Sequence, residues 1–177
     1  KNKFSLVNLG CGNIILDGFE NIDFYTMRFW KSKSVGHDFR YKLPYKDNVF
    51  EGAFCDNMLE HLHPSDGKKF LKEVYRILKS GSVFRVIVPD LKRYIDYYNG
   101  ENLNGFDIFD NGCNAIWNLT HNWGHLAVFD TNMLTLELER AGFKNISKKK
   151  YREGDDKRLL KDREGRGWEC LFVECTA

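Results

Sequence analysis

The chain has 177 residues, of which 42% are hydrophobic and 15% aromatic, so it is long enough to bury one sizeable core as a single domain, residues 1–177. Its net charge of +2 indicates no global preference for anionic or cationic partners. Its apolar runs are shorter than the roughly 20 residues that cross a bilayer, so we expect no membrane-spanning helix and no membrane partner. Five cysteines without a CxxC pair predict free thiols in a reducing compartment, and we therefore expect a cytoplasmic protein.

The first elements along the chain are a strand, a glycine turn and a second strand. Residues 4–9 (FSLVNL) are mostly apolar and predict a buried strand, and residues 20–24 (ENIDF) predict another. Only twelve residues separate Leu9 from Ile22, which is close to the minimum for a crossover between parallel strands. We therefore expect the first helix of the fold to be reduced or missing.

The glycine turn fills only part of the dinucleotide-binding pattern G-x-G-x-x-G, because Gly10 and Gly12 are present but Ile15 stands in the third place. The missing glycine and the short crossover disfavour a pyrophosphate, whose negative charge needs a helix N-terminus. A cofactor without phosphates escapes this objection, since two glycines still let the backbone approach a bulky group. The alternative is that glycine serves only the geometry of a turn between strands.

Two acidic residues suit the nucleoside part of such a cofactor. Asp23, at the end of the second predicted strand, can accept hydrogen bonds from both hydroxyls of a ribose. Asp38, fifteen residues later, can accept a hydrogen bond from the amino group of adenine. With the glycine turn, these residues suggest an adenosine that carries a positive charge.

The middle of the chain predicts a strand, a helix and another strand. Residues 49–55 and 83–88 are short apolar runs of the kind that buried parallel strands show. Between them, apolar residues recur at helical spacing. We expect Ser65 or Asp66 to cap this helix and Gly81 to end it.

The end of the chain predicts one more helix and two more strands. Asp130 or Thr131 can cap the helix, and Gly142 can end it. Strands are predicted over residues 145–152 and 168–176. The alternation of strands and helices favours a three-layer α/β sandwich.

In two segments the apolar residues recur with neither the spacing of a helix nor that of a strand. Residues 90–125 are rich in Asn, Gly and aromatic residues, and we interpret them as an insertion that covers the substrate. Residues 153–167 are interpreted as a basic hairpin loop, since the segment 144–166 holds ten Lys and Arg against five Asp and Glu. An anionic partner could bind this excess, but a solvated loop between two strands explains it equally and is favoured.

The chain resembles the class I S-adenosylmethionine-dependent methyltransferases, in particular a small subgroup with a shortened first crossover. The resemblance covers roughly residues 4–146 and rests on LVNLGCGN, NIDF, LPYKDNVFEGAFCDNMLEHL, FLKEVYRILKSG and FDTNMLTLELERAGF in this order. Ser80 and Ser82 depart from the LKPGG that related enzymes usually have. The resemblance implies a Rossmann-like three-layer α/β/α fold with a mostly parallel seven-stranded sheet of order 3-2-1-4-5-7-6, in which strand 7 is antiparallel.

The resemblance also implies S-adenosyl-L-methionine as the cofactor. The residues that it implies for cofactor binding are Gly10, Cys11 and Gly12 at the methionine part, Asp23 at the ribose, Asp38 and Phe39 at the adenine, and Asp56 and Asn57 beside the sulfonium. A sulfonium is already activated, so the protein mainly has to align the acceptor and exclude water.

A base is also needed where the acceptor is a hydroxyl or a protonated amine, and histidine has the most suitable intrinsic pKa. The candidates are His61, which the resemblance places beside the cofactor, and His121 and His125, which lie in the segment expected to cover the substrate. A purely structural role for His61 is the alternative. His121 and His125 have the spacing of a helical metal pair, but Gly124 disfavours a helix and no carboxylate is evident beside them, so we expect no metal.

The favoured function is a methyltransferase that acts on a small molecule. A sugar or glycan precursor is one such acceptor, because small enzymes resembling this chain commonly have glycan-modifying neighbours; this argument is association only. One alternative is a catalytically degenerate domain that binds the cofactor or another protein. A second is an RNA-directed methyltransferase that uses the basic segment 144–166, although the interleaved acidic residues make nucleic acid the less favoured partner.

Overall fold

The computed structural model describes residues 4–24 and 34–177, which form a mixed seven-stranded sheet. The strands are β1 (Leu6–Leu9), β2 (Phe19–Asp23), β3 (Val35–Gly36), β4 (Phe50–Asp56), β5 (Leu78–Pro89), β6 (Lys144–Lys149) and β7 (Cys170–Thr176). Their order is β3-β2-β1-β4-β5-β7-β6, and β7 runs antiparallel to both β5 and β6. The expected order and direction of the strands are thus confirmed.

Four α-helices lie within the described residues. They are α1 (Pro64–Ile77), α2 (Leu91–Tyr98), α3 (Gly112–His121) and α4 (Thr131–Ala141). Short 3-10 turns occur at Leu59–His61, Phe106–Ile108, Asn122–Gly124 and Lys157–Leu159. None of the helices seen in these two ranges is long and apolar enough to cross a membrane.

The helix caps confirm one prediction and correct another. Asp130 caps α4 by accepting a hydrogen bond from a backbone N–H three residues on, at 2.7 Å, and Gly142 ends α4 with a φ of 112°. At α1, His63 is the cap, and its ring accepts a hydrogen bond from the N–H of Ser65. Ser65 and Asp66 therefore lie inside the first turn of α1, where an acidic side chain still favours the helix dipole.

The prediction that Gly81 ends α1 is wrong. The helix ends at Ile77, and Leu78 enters β5 directly. Leu78 is buried and pairs with Phe50 of β4, so burial of its side chain and pairing of its backbone outweigh the helical spacing that continues to this point. Gly81 lies within β5 with a φ of 78°.

Alternating side chains of the central strands build a core on each face of the sheet. On one face, Val7 and Ala53 pack with the apolar sides of α1 and α4. On the other face, Leu6 and Phe54 pack with Leu159, which belongs to the connection between β6 and β7. Within residues 4–24 and 34–177, the second face is thus covered largely by irregular chain.

The first crossover holds its shape without a helix. Residues 10–18 form turns, and the buried side chain of Asn21 organises them. Its Oδ1 accepts hydrogen bonds from Asn8 Nδ2 at 2.9 Å and from Leu16 N at 3.0 Å, while its Nδ2 donates to the carbonyl of Leu16 at 2.9 Å. These bonds satisfy backbone groups that a helix would otherwise satisfy internally.

The connection between β6 and β7 is anchored to the sheet by a few buried residues, although most of its basic residues are exposed. Its residues Leu159 and Asp162 are buried, and Asp162 binds Arg85 of β5 with distances of 2.7 and 2.6 Å from its two oxygens to the guanidinium. Arg85 also donates to Glu174 of β7 at 3.0 Å. This ion pair holds the connection against the sheet, which the interpretation of 153–167 as a basic hairpin loop did not include.

Residues 90–125 contain two helices, α2 and α3, where the sequence analysis found no clear period. Their aromatic and apolar side chains form a separate small core around Phe106, with Trp168 packed against it. Because α2 has only eight residues and Asn and Gly interrupt the segment, its apolar pattern is too short to be read as a helix.

Candidate active site

A cavity of about 580 Å³ opens at the carboxyl ends of β1, β2 and β4, where ligands of open α/β sheets usually bind. Its wall includes seven of the eight residues predicted to bind the cofactor: Gly10, Gly12, Asp23, Asp38, Phe39, Asp56 and Asn57. Its volume falls in the range of about 300–1,000 Å³ that is typical of small-molecule sites.

The glycine turn packs directly against the end of β2. The N–H groups of Gly10 and Cys11 donate to the carbonyl of Ile22 at 3.0 and 3.1 Å, and the N–H of Gly12 donates to Asp23 Oδ2 at 2.8 Å. This hydrogen bond holds the Asp23 carboxylate at the cavity wall. The turn and the acidic residue therefore form one unit.

Cys11 differs from its two glycine neighbours. Its side chain is buried and lies at an adjoining cavity of about 240 Å³, on the other side of the glycine turn. Burial, and secondarily the charge of Asp23, raises the pKa of the Cys11 thiol to about 11. The thiol is consequently neutral at physiological pH, and Cys11 does not line the larger cavity.

Gly10 and Gly12 make a matched pair for substitution. Both have a positive φ, 79° and 53°, but a Cβ at Gly10 would collide with the side chain of Met58, whereas a Cβ at Gly12 would meet nothing within 4 Å. We expect Gly12→Ala to lower the free energy of unfolding by about 1–2 kcal/mol through backbone strain alone. Gly10→Ala should cost a further 1–3 kcal/mol or so, because Met58 must move. Urea unfolding of both variants measures the difference, and equal losses would contradict the close approach of Gly10 to Met58.

Asp38 and Phe39 line another part of the cavity wall. Asp38 pairs with Arg40 at 2.6 Å, and this hydrogen bond lowers the pKa of the carboxyl. Phe39 is buried and contacts Phe70 of α1 edge-on, with ring centroids 5.4 Å apart. Asp38 is therefore an ionised acceptor at the rim, and Phe39 is fixed by the core.

The end of β4 brings Asp56 and Asn57 to the cavity. Burial raises the pKa of Asp56, although its carboxylate accepts a hydrogen bond from the N–H of Arg163 at 3.1 Å. Asn57 has a φ of 51°, and its buried Nδ2 has no hydrogen-bond partner among the described residues. Asn57 therefore combines a left-handed backbone conformation with an unpaired side-chain amide N–H at a cavity wall, and a ligand can accept a hydrogen bond from that amide.

The three candidate histidines have different positions. His61 lies in the cavity wall, and its ring contacts that of His125 with centroids 4.9 Å apart. Burial lowers the pKa of His61, and the neighbouring His125 lowers it further. His121 is exposed at the end of α3, where its Nδ1 bonds to Thr120 Oγ1 at 2.7 Å, and it does not line the cavity.

Glu60 is a member of this group that the sequence did not single out as a site residue. Its side chain is 2% exposed, neither oxygen has a hydrogen-bond partner among the described residues, and burial raises its pKa to about 8. The expectation that no carboxylate lies beside the histidines is wrong, since Glu60 adjoins both His61 and His125. The only signal in the sequence was the adjacency of Glu60 to His61.

A second cavity of about 380 Å³ adjoins the first and is mainly apolar. Leu62 and Leu126 line both cavities, and His125 lines the second. Trp123 lines the first cavity and is 73% exposed, whereas Trp117 lines neither. Only the end of the segment 90–125 therefore reaches these spaces.

Comparison with known proteins identifies relatives of the chain. Residues 21–86 match the family model of a methyltransferase domain. An uncharacterized protein of Methanocaldococcus jannaschii is 32% identical over 121 residues, which are 62% of this chain. The match spans half of that curated relative's length, 50%.

Solved structures share the fold at low sequence identity. A SAM-dependent methyltransferase from Archaeoglobus fulgidus is 15% identical with a TM-score of 0.63, covering 97% of this chain and 85% of that one. A phosphoethanolamine N-methyltransferase from Haemonchus contortus, in complex with S-adenosyl-L-methionine, is 12% identical with a TM-score of 0.56, covering 99% of this chain and 49% of that one. The segment 21–86 is thus similar to a methyltransferase domain, and the chain as a whole shares the fold of solved S-adenosylmethionine-dependent methyltransferases.

Proposed function

We propose that the chain transfers the methyl group of S-adenosyl-L-methionine to a small-molecule acceptor, such as a sugar or glycan precursor. The observation that carries the proposal is the convergence of the glycine turn, Asp23, Asp38 and Asn57 on one cavity. An acceptor for ribose hydroxyls, an acceptor for the adenine amino group and a spare amide donor are the polar groups that this cofactor needs.

The cofactor would extend along this wall from Asp38, at the adenine, past Asp23, at the ribose, to Asp56 and Asn57, at the sulfonium. His61 would then face the acceptor, with His125 packed behind it. His121 has no role in this proposal because it lies outside the cavity.

The adjoining apolar cavity supports a small acceptor. Leu62 and Leu126 line both spaces, so an acceptor there would lie next to the reactive end of the cofactor. The exposed ring of Trp123 at the rim offers a flat surface on which a sugar can stack. We propose that the end of the segment 90–125, at residues 123–125, covers the acceptor together with Leu126.

Ion pairing works against the RNA-directed alternative. Several basic residues of the segment 144–166 are already paired with acidic groups: Lys148 with Asp90, Lys149 with Asp155, Arg152 with Glu164, and Arg158 with Asp156. Paired charges release fewer counterions from a nucleic acid and so bind it less strongly.

A donor-turnover assay with labelled S-adenosyl-L-methionine tests the proposal. The acceptors are monosaccharides, nucleotide-activated sugars, small amines including phosphoethanolamine, and tRNA. We expect label in a small-molecule product and none in RNA. If S-adenosylhomocysteine binds but no acceptor of this panel is methylated, the result favours a catalytically degenerate domain that only binds the cofactor. If the label appears in tRNA, the result favours an RNA-directed methyltransferase.

A further inference from the structure

Three potential metal ligands converge where the cofactor cavity meets the apolar cavity. A carboxylate oxygen of Glu60 and a ring nitrogen from each of His61 and His125 all lie within 4.8 Å of one another. We propose that Glu60, His61 and His125 bind a divalent metal ion of the zinc class at this junction. Two imidazoles and one carboxylate form a ligand set that zinc takes in catalytic sites.

Glu60 provides the first argument, because its side chain lacks any other role. It is 2% exposed, and neither of its oxygens has a hydrogen-bond partner within the described ranges. Its backbone carbonyl holds the local structure instead, by accepting from Leu126 N at 2.8 Å and Ala127 N at 3.1 Å. A buried carboxyl without a partner is costly, and a cation would satisfy both oxygens.

The anchoring of the two imidazoles provides the second argument. His125 Nδ1 bonds to the carbonyl of Leu119 at 2.7 Å, which leaves Nε2 for another partner. The backbone at Trp123 and Gly124 lies near the ring of His61 and partly offsets the lowering of its pKa by burial. Metal-binding histidines almost always donate their second ring nitrogen to a carbonyl or carboxylate, which fixes the orientation of the ring.

The spacing of the ligands requires a small adjustment. Zinc bonds of about 2.1 Å in a tetrahedron place ligand atoms about 3.4 Å apart, so a pair separated by as much as 4.8 Å must approach by about 1.4 Å. His125 follows a 3-10 turn in which Trp123 has a φ of 63° and Gly124 has one of 73°. We expect the His125 side chain, which follows this turn and lies outside the sheet, to supply the approach by a small rotation about its hydrogen bond to Leu119.

Three protein ligands leave a fourth coordination position open. His61 lines the cofactor cavity and His125 lines the apolar cavity, so the site lies between the proposed donor and acceptor. An oxygen of the acceptor could therefore bind the ion. This role rests on the proposed function, whereas metal binding itself does not.

Metal binding can be measured on the chelator-stripped protein without cofactor or acceptor. Calorimetric titration with Zn²⁺ should show one site per chain, and Co²⁺ should give the visible absorption bands of a low-coordinate site. We expect His125→Ala and Glu60→Gln each to weaken Zn²⁺ binding by about 100-fold or more, since loss of a ligand must exceed the 10–100-fold effect of an outer partner.

His121→Ala is the matched control, because it removes an exposed histidine four positions from His125 and should leave Zn²⁺ affinity unchanged. Circular dichroism of each variant verifies folding. If Glu60→Gln fails to fold, His125→Ala, which alters a partly exposed turn residue, still decides the question. Absence of stoichiometric Zn²⁺ and Co²⁺ binding to the wild type, or wild-type affinity in folded His125→Ala, would overturn the proposal.

Discussion

Replacing Arg85 with methionine will lower the free energy of unfolding by about 3–5 kcal/mol, the usual cost of removing one partner from a buried ion pair. Arg85 has no exposed surface and binds Asp162 and Glu174, whose side chains are 1% and 2% exposed. Methionine fills similar space but leaves two buried carboxylates without their cation. Urea unfolding of the variant and the wild type measures the loss.

The second effect of this substitution is local. Arg85 also donates to the carbonyls of Lys150 and Glu153, so it binds the β6–β7 connection through backbone as well as side chains. Without it, residues 150–169 should exchange their amide hydrogens faster while β4 and β5 stay protected.

Arg152→Met is the control for Arg85→Met, because it also replaces an arginine by methionine, but in an exposed ion pair within the β6–β7 connection. Arg152 and Glu164 lie 3.2 Å apart and are 49% and 82% exposed, so we expect a loss of at most about 1 kcal/mol. Similar losses in the two variants would mean that the buried pair does not hold the connection.

Asp23→Asn will weaken binding of S-adenosylhomocysteine by about 10- to 100-fold. Hydrogen bonds to a charged group contribute about 1.5–3 kcal/mol, and each 1.4 kcal/mol is a factor of about ten. Asparagine keeps one carbonyl oxygen for the N–H of Gly12, so the glycine turn should retain its shape while the ribose loses an ionised acceptor. Isothermal titration calorimetry measures the change.

Asp17→Asn is the control for Asp23→Asn, since Asp17 is an exposed acidic residue in the same crossover and does not line the cavity. It should bind S-adenosylhomocysteine like the wild type. Wild-type affinity in Asp23→Asn, with folding intact, would exclude Asp23 from ribose binding.

The strand order was predicted from the resemblance to a known family, whereas the glycine turn, Asp23 and Asp38 of the cavity wall could also be predicted from local signals. Apolar runs end at Leu9, Asp23 and Asp56, and the carboxyl ends of parallel strands meet at one edge of a sheet. The glycine turn and the residues after each strand could therefore be assigned to one site before the structure was known.

Contacts between distant segments could not be predicted. Arg85 lies in the apolar run VFRVIV, but its partner Asp162 lies 77 positions later in the chain. The partner depends on how the β6–β7 connection folds back across the sheet. The interpretation of that connection as a solvated loop rested on the number of its charged residues, and that number does not show which of the charges are paired.

The grouping of Glu60 and His61 with His125 depends on long-range backbone contacts in the same way. The N–H groups of Leu126 and Ala127 donate to the carbonyl of Glu60, which brings His125 beside residues that precede it by more than sixty positions. Spacing alone paired His125 with His121, and the structure separates these two.

A crystal structure with S-adenosylhomocysteine tests the proposed site most directly. We expect the adenine beside Asp38 and Phe39, both ribose hydroxyls on Asp23, and the sulfur at the end of the cavity where Asn57 and His61 lie. Binding of the molecule elsewhere, or an unoccupied cavity at saturating concentration, would contradict the assignment of this cavity as a methyl-donor site.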